Sequence, residues 1–214
     1  MNTKALFDLE CRACPRLSAF LDQVGRDYPD YHARPVPAFG DPRARLLVVG
    51  LAPGMHGANA SGRPFTGDFA GILLYETLHR FGFSNAPESR SAADGLRLRD
   101  CRITNAVKCL PPGNKPLGAE VNACNVYLRN ELQGLYPPRV ILALGAVAHG
   151  AVLKAYRQKA AAFRFGHANL HSLPSGQWLL DSYHCSRYNT QTGRLTEQMF
   201  GAVFGQARSL LGAT

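Results

Sequence analysis

The sequence predicts an α/β protein: a three-layer α/β/α sandwich around a four-stranded parallel sheet, in one domain spanning residues 1–214. Three observations carry that expectation. Four short apolar runs alternate with helical segments, and each run is continuous rather than alternating, as strands covered on both faces are. The composition, 46% apolar and 18% charged, is that of an ordinary folded core, with no internal repeat or low-complexity segment. The unusual residues gather just after the apolar runs, and ligands of open parallel sheets bind outside the carboxyl ends of the strands.

In chain order, residues 4–26 pattern as a helix with Leu6, Leu9, Leu17, Phe20, Leu21 and Val24 on one side. A linker rich in Pro, Tyr and Asp (Tyr28–Pro42) leads to a strand at Arg45–Val49. The loop GLAPGMHGANASGRPFTGD (Gly50–Asp68) follows, and then a helix at Phe69–Phe81. After a polar loop at Ser84–Gly95 comes a strand at Cys101–Val107. KCLPPGNKPLG (Lys108–Gly118) is too rich in Pro and Gly to be regular. The helix Ala119–Leu135, the strand Arg139–Leu144 and the helix Gly145–Tyr156 come next. The stretch Phe163–Ser172 has room for a short hairpin before a fourth strand at Gln177–His184. The loop CSRYNTQTG (Cys185–Gly193) and the helix Arg194–Leu211 complete the chain.

A net charge of +9 suits a polyanionic partner without specifying one. No apolar run approaches a membrane span, and the start MNTKALFDLE lacks a signal-peptide pattern, so a cytoplasmic protein is expected, with no membrane partner. Six cysteines in such a chain read as metal ligands or buried thiols rather than disulfides.

The glycine loop holds five glycines and two prolines in nineteen residues, a composition that lets backbone approach a ligand closely. A phosphate, a nucleotide cofactor and a base drawn out of DNA are all candidates. The loop has no GK[ST] for a Walker phosphate site and no GxGxxG order, and Pro53 removes a donor that a pyrophosphate needs. Phe65, near its end, offers a ring for stacking on a planar base. Among the cysteines, Cys11 and Cys14 form a CxxC pair, read as lying on one helical turn, with Cys109 and Cys124 far along the chain. A second tight pair, usual in zinc ribbons, is missing, so the spacing suits a 4Fe–4S cluster better. The competing reading makes Cys109 and Cys124 buried hydrophobes. Cys101 and Cys185 read as free thiols.

Together GLAPGMHGANASGRPFTGD, ITNAVKCLPPGNKP, HCSRYNTQTG and the four cysteines resemble the iron–sulfur uracil-DNA glycosylases, the type-b enzymes that form the fifth family of their superfamily. The resemblance runs from about Cys11 into the last helix. It implies the same three-layer fold, and removal of uracil from DNA, with tolerance for other deaminated bases such as hypoxanthine. It implies a structural 4Fe–4S cluster on Cys11, Cys14, Cys109 and Cys124. Other glycosylase families carry Asp, Asn or Glu in the first motif, where this chain has Leu51 and Ala52.

The resemblance implies roles for single residues. Phe65 would stack on uracil, and the Asn105 amide would pair with its N3–H and O4, a pattern that cytosine reverses. His184 would donate to O2 as charge collects on the departing base. Gly50, Ala52 and His56 extend the substrate wall. Asp68 is the acidic side chain of the motif loops, placed either to orient water and offset an oxocarbenium-like sugar or to cap the helix behind it. Ser186, Arg187, Tyr188 and Asn189 would meet the DNA, where Arg187 and Tyr188 contact phosphates or fill the gap left by a flipped base. The expected partner is DNA bearing uracil or another deaminated base, and the expected state a monomer. Missing the carboxylate at Leu51–Ala52 keeps open a second reading, a catalytically inactive iron–sulfur DNA- or RNA-binding protein of the same fold. A third, a nucleotide-binding electron-transfer protein, lacks its cofactor loop.

Overall fold

Alternate residues of the strand Leu46–Gly50 face opposite sides of a sheet, and both sides are buried. Leu46 and Val48 join a core with Leu74, Leu78, Phe200 and Phe204. Leu47 and Val49 join another with Leu128, Leu132, Ala148 and Val152. Continuous apolar strands thus arise because helices cover both faces.

The computed structural model describes residues 7–212. In order these form α1 (Pro15–Asp27), β1 (Phe39–Gly40), β2 (Leu46–Gly50), α2 (Ala58–Ser61), α3 (Phe69–Arg80), β3 (Cys101–Asn105) and α4 (Gly118–Gln133). Then come β4 (Val140–Leu144), α5 (Ala146–Ala155), β5 (Leu170–Ser172), β6 (Trp178–Ser182), α6 (Arg187–Gln191) and α7 (Glu197–Gly212). The described residues hold a mixed six-stranded sheet of order β1-β3-β2-β4-β6-β5.

That sheet corrects the expected four-stranded parallel one. The four expected strands pair in parallel at its centre, but antiparallel β1 and β5 pair along its two edges. β1 is two residues inside the Pro-rich linker, set by pairing with Arg102 and Ile103 rather than by local pattern. β5 lies in the stretch with room for a hairpin and folds back on β6. It is pinned there by a buried cluster. His149 donates to Asp181 at 2.7 Å and to the Phe163 carbonyl at 2.8 Å, while His171 meets the other Asp181 oxygen at 3.3 Å. Burial works against a charged His149, but Asp181 and the Phe163 carbonyl outweigh it and raise its pKa.

The expected helix over residues 4–26 is also shortened. Residues 4–6 lie outside the described ones, and α1 begins only at Pro15. A residue before proline is pushed out of helical backbone, and Cys14 is extended, with φ −116° and ψ 93°. Leu9 is therefore exposed rather than on the buried side, whereas Leu17, Leu21 and Val24 are buried. The CxxC pair sits on the segment entering α1, not on a helical turn.

Candidate active site

A cavity of about 470 Å³ opens at the carboxyl ends of the central strands. Its walls come from the glycine loop after β2 (Leu51–Gly54, Phe65, Asp68), the end of β3 (Asn105), the turn after β4 (Leu144–Val147) and the segment after β6 (His184, Ser186, Arg187). The three motif loops thus meet at one place.

Glycines set the close contacts there. A Cβ on Gly50 would lie 2.4 Å from Asn105 Oδ1 and 2.6 Å from the Phe65 ring, so only glycine lets the amide and the ring close in. Phe65 itself holds φ +61°, a left-handed conformation that is costly for an aromatic residue and that clusters at ligand clamps. Its ring lies 6.0 Å from that of His184, 25° from parallel. Asn105 is 3% exposed, and its buried Oδ1 has no hydrogen-bond partner. Buried polar atoms are nearly always paired, so an open one in a cavity wall marks a place for a ligand donor.

Asp68 stands at the N-terminus of α3 but makes no side-chain cap bond. Its carboxylate turns back to accept the backbone N–H of Ala58 at 3.1 Å. A Cβ on Gly54 or Gly57 would come within 2.1 or 2.0 Å of its Oδ1. The capping reading is thereby corrected: the partner is the glycine loop. Burial raises the Asp68 pKa, and the N–H groups of Ala58 and Gly54 oppose the rise.

His184 is half-buried by its own surface, yet enough protein surrounds it that burial pushes its pKa down to about 4. Its imidazole is neutral at neutral pH and carries an N–H to donate.

The turn after β6 is the short helix α6, which sequence patterning reads as a loop. Ser186 caps it, accepting the Asn189 N–H at 3.4 Å. Asn189 faces inward, donating to the His184 carbonyl at 2.8 Å. Arg187 is exposed, its guanidinium 4.8 Å from the centre of the Phe69 ring, and Tyr188 is 70% exposed. His56 does not line the cavity: it is exposed and hydrogen-bonded to Tyr31 Oη at 2.9 Å. Sequence reasoning missed Asn114 and the Gly145–Val147 turn as lining residues. The signals in the sequence were a Gly-Asn pair and a glycine closing a strand, residue types that tolerate the positive φ found there, +57° at Asn114 and +95° at Gly145.

Cys11, Cys14, Cys109 and Cys124 line one small second cavity, with Leu17, Lys108 and Tyr127. Burial, with the neighbouring sulfurs adding, pushes the Cys109 thiol up to about 12. Burial likewise pushes Cys124 up to about 11, although the Lys108 N–H donates to its sulfur at 3.2 Å. The Lys108 side chain is buried against Thr104 and Glu131, which anchors the short run from Asn105 to Cys109. Cys101 and Cys185 are buried elsewhere, Cys185 donating to the Ala70 carbonyl at 3.3 Å. None of the six cysteines is joined in a disulfide.

A parallel-centred α/β sandwich has at its strand ends a cavity walled by a ring, an amide, a neutral imidazole and a carboxylate, groups suited to a flat, hydrogen-bonding ligand. The family model "Uracil DNA glycosylase superfamily" matches residues 37–208. The chain is 49% identical over 207 residues to a protein named Type-5 uracil-DNA glycosylase from Thermus thermophilus, covering 94% of each chain. Proteins of the same name from Mycobacterium bovis and Pyrobaculum aerophilum are 45% and 43% identical, over 94% and 93% of this chain and 78% and 88% of theirs. The chain belongs to the uracil DNA glycosylase superfamily.

Proposed function

We propose that this chain excises uracil from DNA by swinging the base out of the duplex and hydrolysing its N-glycosidic bond. The observation that carries this reading is that Phe65, Asp68, Asn105 and His184, drawn from three separate loops, line one cavity. Flipping costs a few kcal/mol, which the ring of Phe65 offsets by stacking. The unpaired Asn105 Oδ1 accepts uracil N3–H, and the amide N–H donates to O4. As the glycosidic bond lengthens, negative charge spreads onto the base, and neutral His184 donates to O2. Donors already in place where charge develops need no reorganisation during reaction. Asp68 orients water and offsets positive charge on the sugar. It supplies the carboxylate that Leu51 and Ala52 do not, which leaves the inactive alternative without support. Arg187 and Tyr188, exposed on α6, meet the duplex.

We infer further that Cys11, Cys14, Cys109 and Cys124 hold a 4Fe–4S cluster, which when bound is a structural cross-link joining the α1 entry, the β3 exit and α4. Four cysteines at one cavity fit it. One CxxC pair with two distant cysteines, and no second tight pair as in zinc ribbons, suits the cluster better than a single zinc.

Hypoxanthine and other deaminated bases fall within the proposed range, because the cavity exceeds one pyrimidine. A monomer in the cytoplasm belongs to the same proposal. No helix among the described residues is long and apolar enough to cross a membrane.

The test is single-turnover incubation with a duplex carrying one uracil, followed by alkaline cleavage at abasic sites. Strand breakage at the uracil, absent from the matched thymine duplex, is expected. An intact strand under conditions of saturating binding would overturn the reading.

A further inference from the structure

Three aromatic side chains stand together beside the cavity with no part in the reaction above. The rings of Tyr28 and Tyr31 stack, 4.7 Å apart and 17° from parallel. The His56 ring stands edge-on to both, at 5.7 and 6.0 Å. Tyr28 and His56 are exposed. Exposed aromatic surface is informative where single exposed apolar residues are not. The cluster is also held firmly. Tyr28 N–H closes α1 on the Val24 carbonyl at 2.8 Å, and Tyr31 N–H bonds the Tyr28 carbonyl at 3.0 Å. His32 and Ala33 donate to the carbonyls of Ala60 and Asn59 in the glycine loop, and Tyr31 Oη meets His56 Nδ1.

The cluster is seated on the glycine loop that walls the site. His56 lies two residues beyond Gly54 of the cavity wall, and its carbonyl is 3.5 Å from where a Cβ on Gly67 would stand, next to Asp68. We propose that Tyr28, Tyr31 and His56 form a stacking station for a second nucleobase of the same DNA, one that stays outside the cavity while uracil is inside.

This inference rests on the glycosylase reading. A base fits better than a phosphate, because exposed Asp27 and Asp30 stand on either side of Tyr28. The adjacent cations are engaged, Arg26 with Gln23 and Arg34 with Glu10. A neutral base face meets no repulsion there, and every base has one, so the station is indifferent to sequence.

The probe is a duplex whose uracil carries a 2′-fluoro group to resist cleavage, with 2-aminopurine placed in turn at each neighbouring position. Wild-type protein should quench the fluorophore at one of those positions. Tyr28→Ala and His56→Ala should lose that quenching, and Tyr28→Trp should keep it. Tyr28→Ala should weaken binding by about 5- to 150-fold with the log–log salt slope unchanged. Wild-type quenching and affinity in both alanine variants, with melting temperatures intact, would overturn the station. A flattened salt slope would overturn it too, by assigning a phosphate contact. Uracil release from an unmodified duplex is measured in parallel, so that loss of the glycosylase reading shows separately as a wild type that releases none.

Discussion

The Asp68 carboxylate accepts the backbone N–H of Ala58, ten residues back, instead of capping the helix it precedes. Gly54 and Gly57 leave the room that makes this possible. Asp68→Asn keeps the shape and one acceptor, so its melting temperature should stay near wild type while single-turnover excision falls by about 10²–10⁴. Gly57→Ala tests the cradle with the carboxylate still present. Its methyl would fall 2.0 Å from Asp68 Oδ1, so excision should drop as it does in Asp68→Asn, with DNA affinity held within a few-fold. A fully active Gly57→Ala would place the needed carboxylate elsewhere.

Because burial holds the His184 pKa near 4, its imidazole stays neutral across the ordinary working range. Excision should therefore show no loss as pH falls through 6.5, the normal histidine value. His184→Ala should slow the chemical step by about 10²–10³. Stability carries the opposite signature. Between pH 6.5 and about 4 the unfolded chain binds a proton on His184 that the folded chain refuses, so this residue lowers stability as pH falls through that window. Denaturant titrations of His184→Gln should lack that part of the slope.

β2 and β4 were legible because they are buried on both faces and read as unbroken apolar runs, and β3 and β6 because their apolar residues dominate around Arg102 and Asp181. β1 was not, since two residues carry no period and only pairing with Ile103 defines them. α6 was hidden by its five-residue length, although Ser186 is a good cap. At the site, Phe65, Asn105, Asp68 and His184 were visible as unusual residues in motif loops. The direction of the Asp68 carboxylate was not, because local rules favour a cap and its true partner is a tertiary contact. The Asn189 side-chain bond was hidden for the same reason: an asparagine in a polar loop shows no partner until the His184 carbonyl is brought to it.

The purified protein should be brown and hold about four irons per chain. Replacing any of Cys11, Cys14, Cys109 or Cys124 by Ser should bleach it and lower its melting temperature, since the four thiolates tie three segments to the same cavity. Cys101→Ser and Cys185→Ser should keep the colour, because neither sulfur reaches that cavity. Stoichiometric zinc without iron in anaerobically prepared protein would refute the cluster.

Arg187 and Asn189, two residues apart, should separate into different phenotypes. Exposed Arg187→Ala should weaken DNA binding and flatten the salt dependence by about 0.9 in log–log slope per lost phosphate contact. Asn189→Ala should leave affinity and slope alone and lower the excision rate, because it frees the His184 carbonyl. Equal loss of affinity in both would return Asn189 to the DNA surface.

On the proposed pairing, Asn105 decides which base is cut. No protein group among the described residues donates to its buried Oδ1, so this acceptor is left for a donor on the base. Uracil brings one at N3, whereas cytosine brings an acceptor there and a donor where uracil has O4. Cytosine therefore meets acceptor against acceptor and donor against donor, and desolvates both faces without recovering a bond. Sites that reject a mismatch through unpaired buried polar groups reach selectivities of about 10⁴–10⁵. Asn105→Ala removes both the reward and the penalty. Uracil excision should fall by about 10²–10³, while the slow background on cytosine should fall much less or not at all, so the preference between them shrinks. The measurement is single-turnover excision from matched duplexes that differ only in that base. An alanine variant that slows on uracil yet keeps the full preference would show that Asn105 serves the rate alone and that discrimination resides in another wall of the cavity.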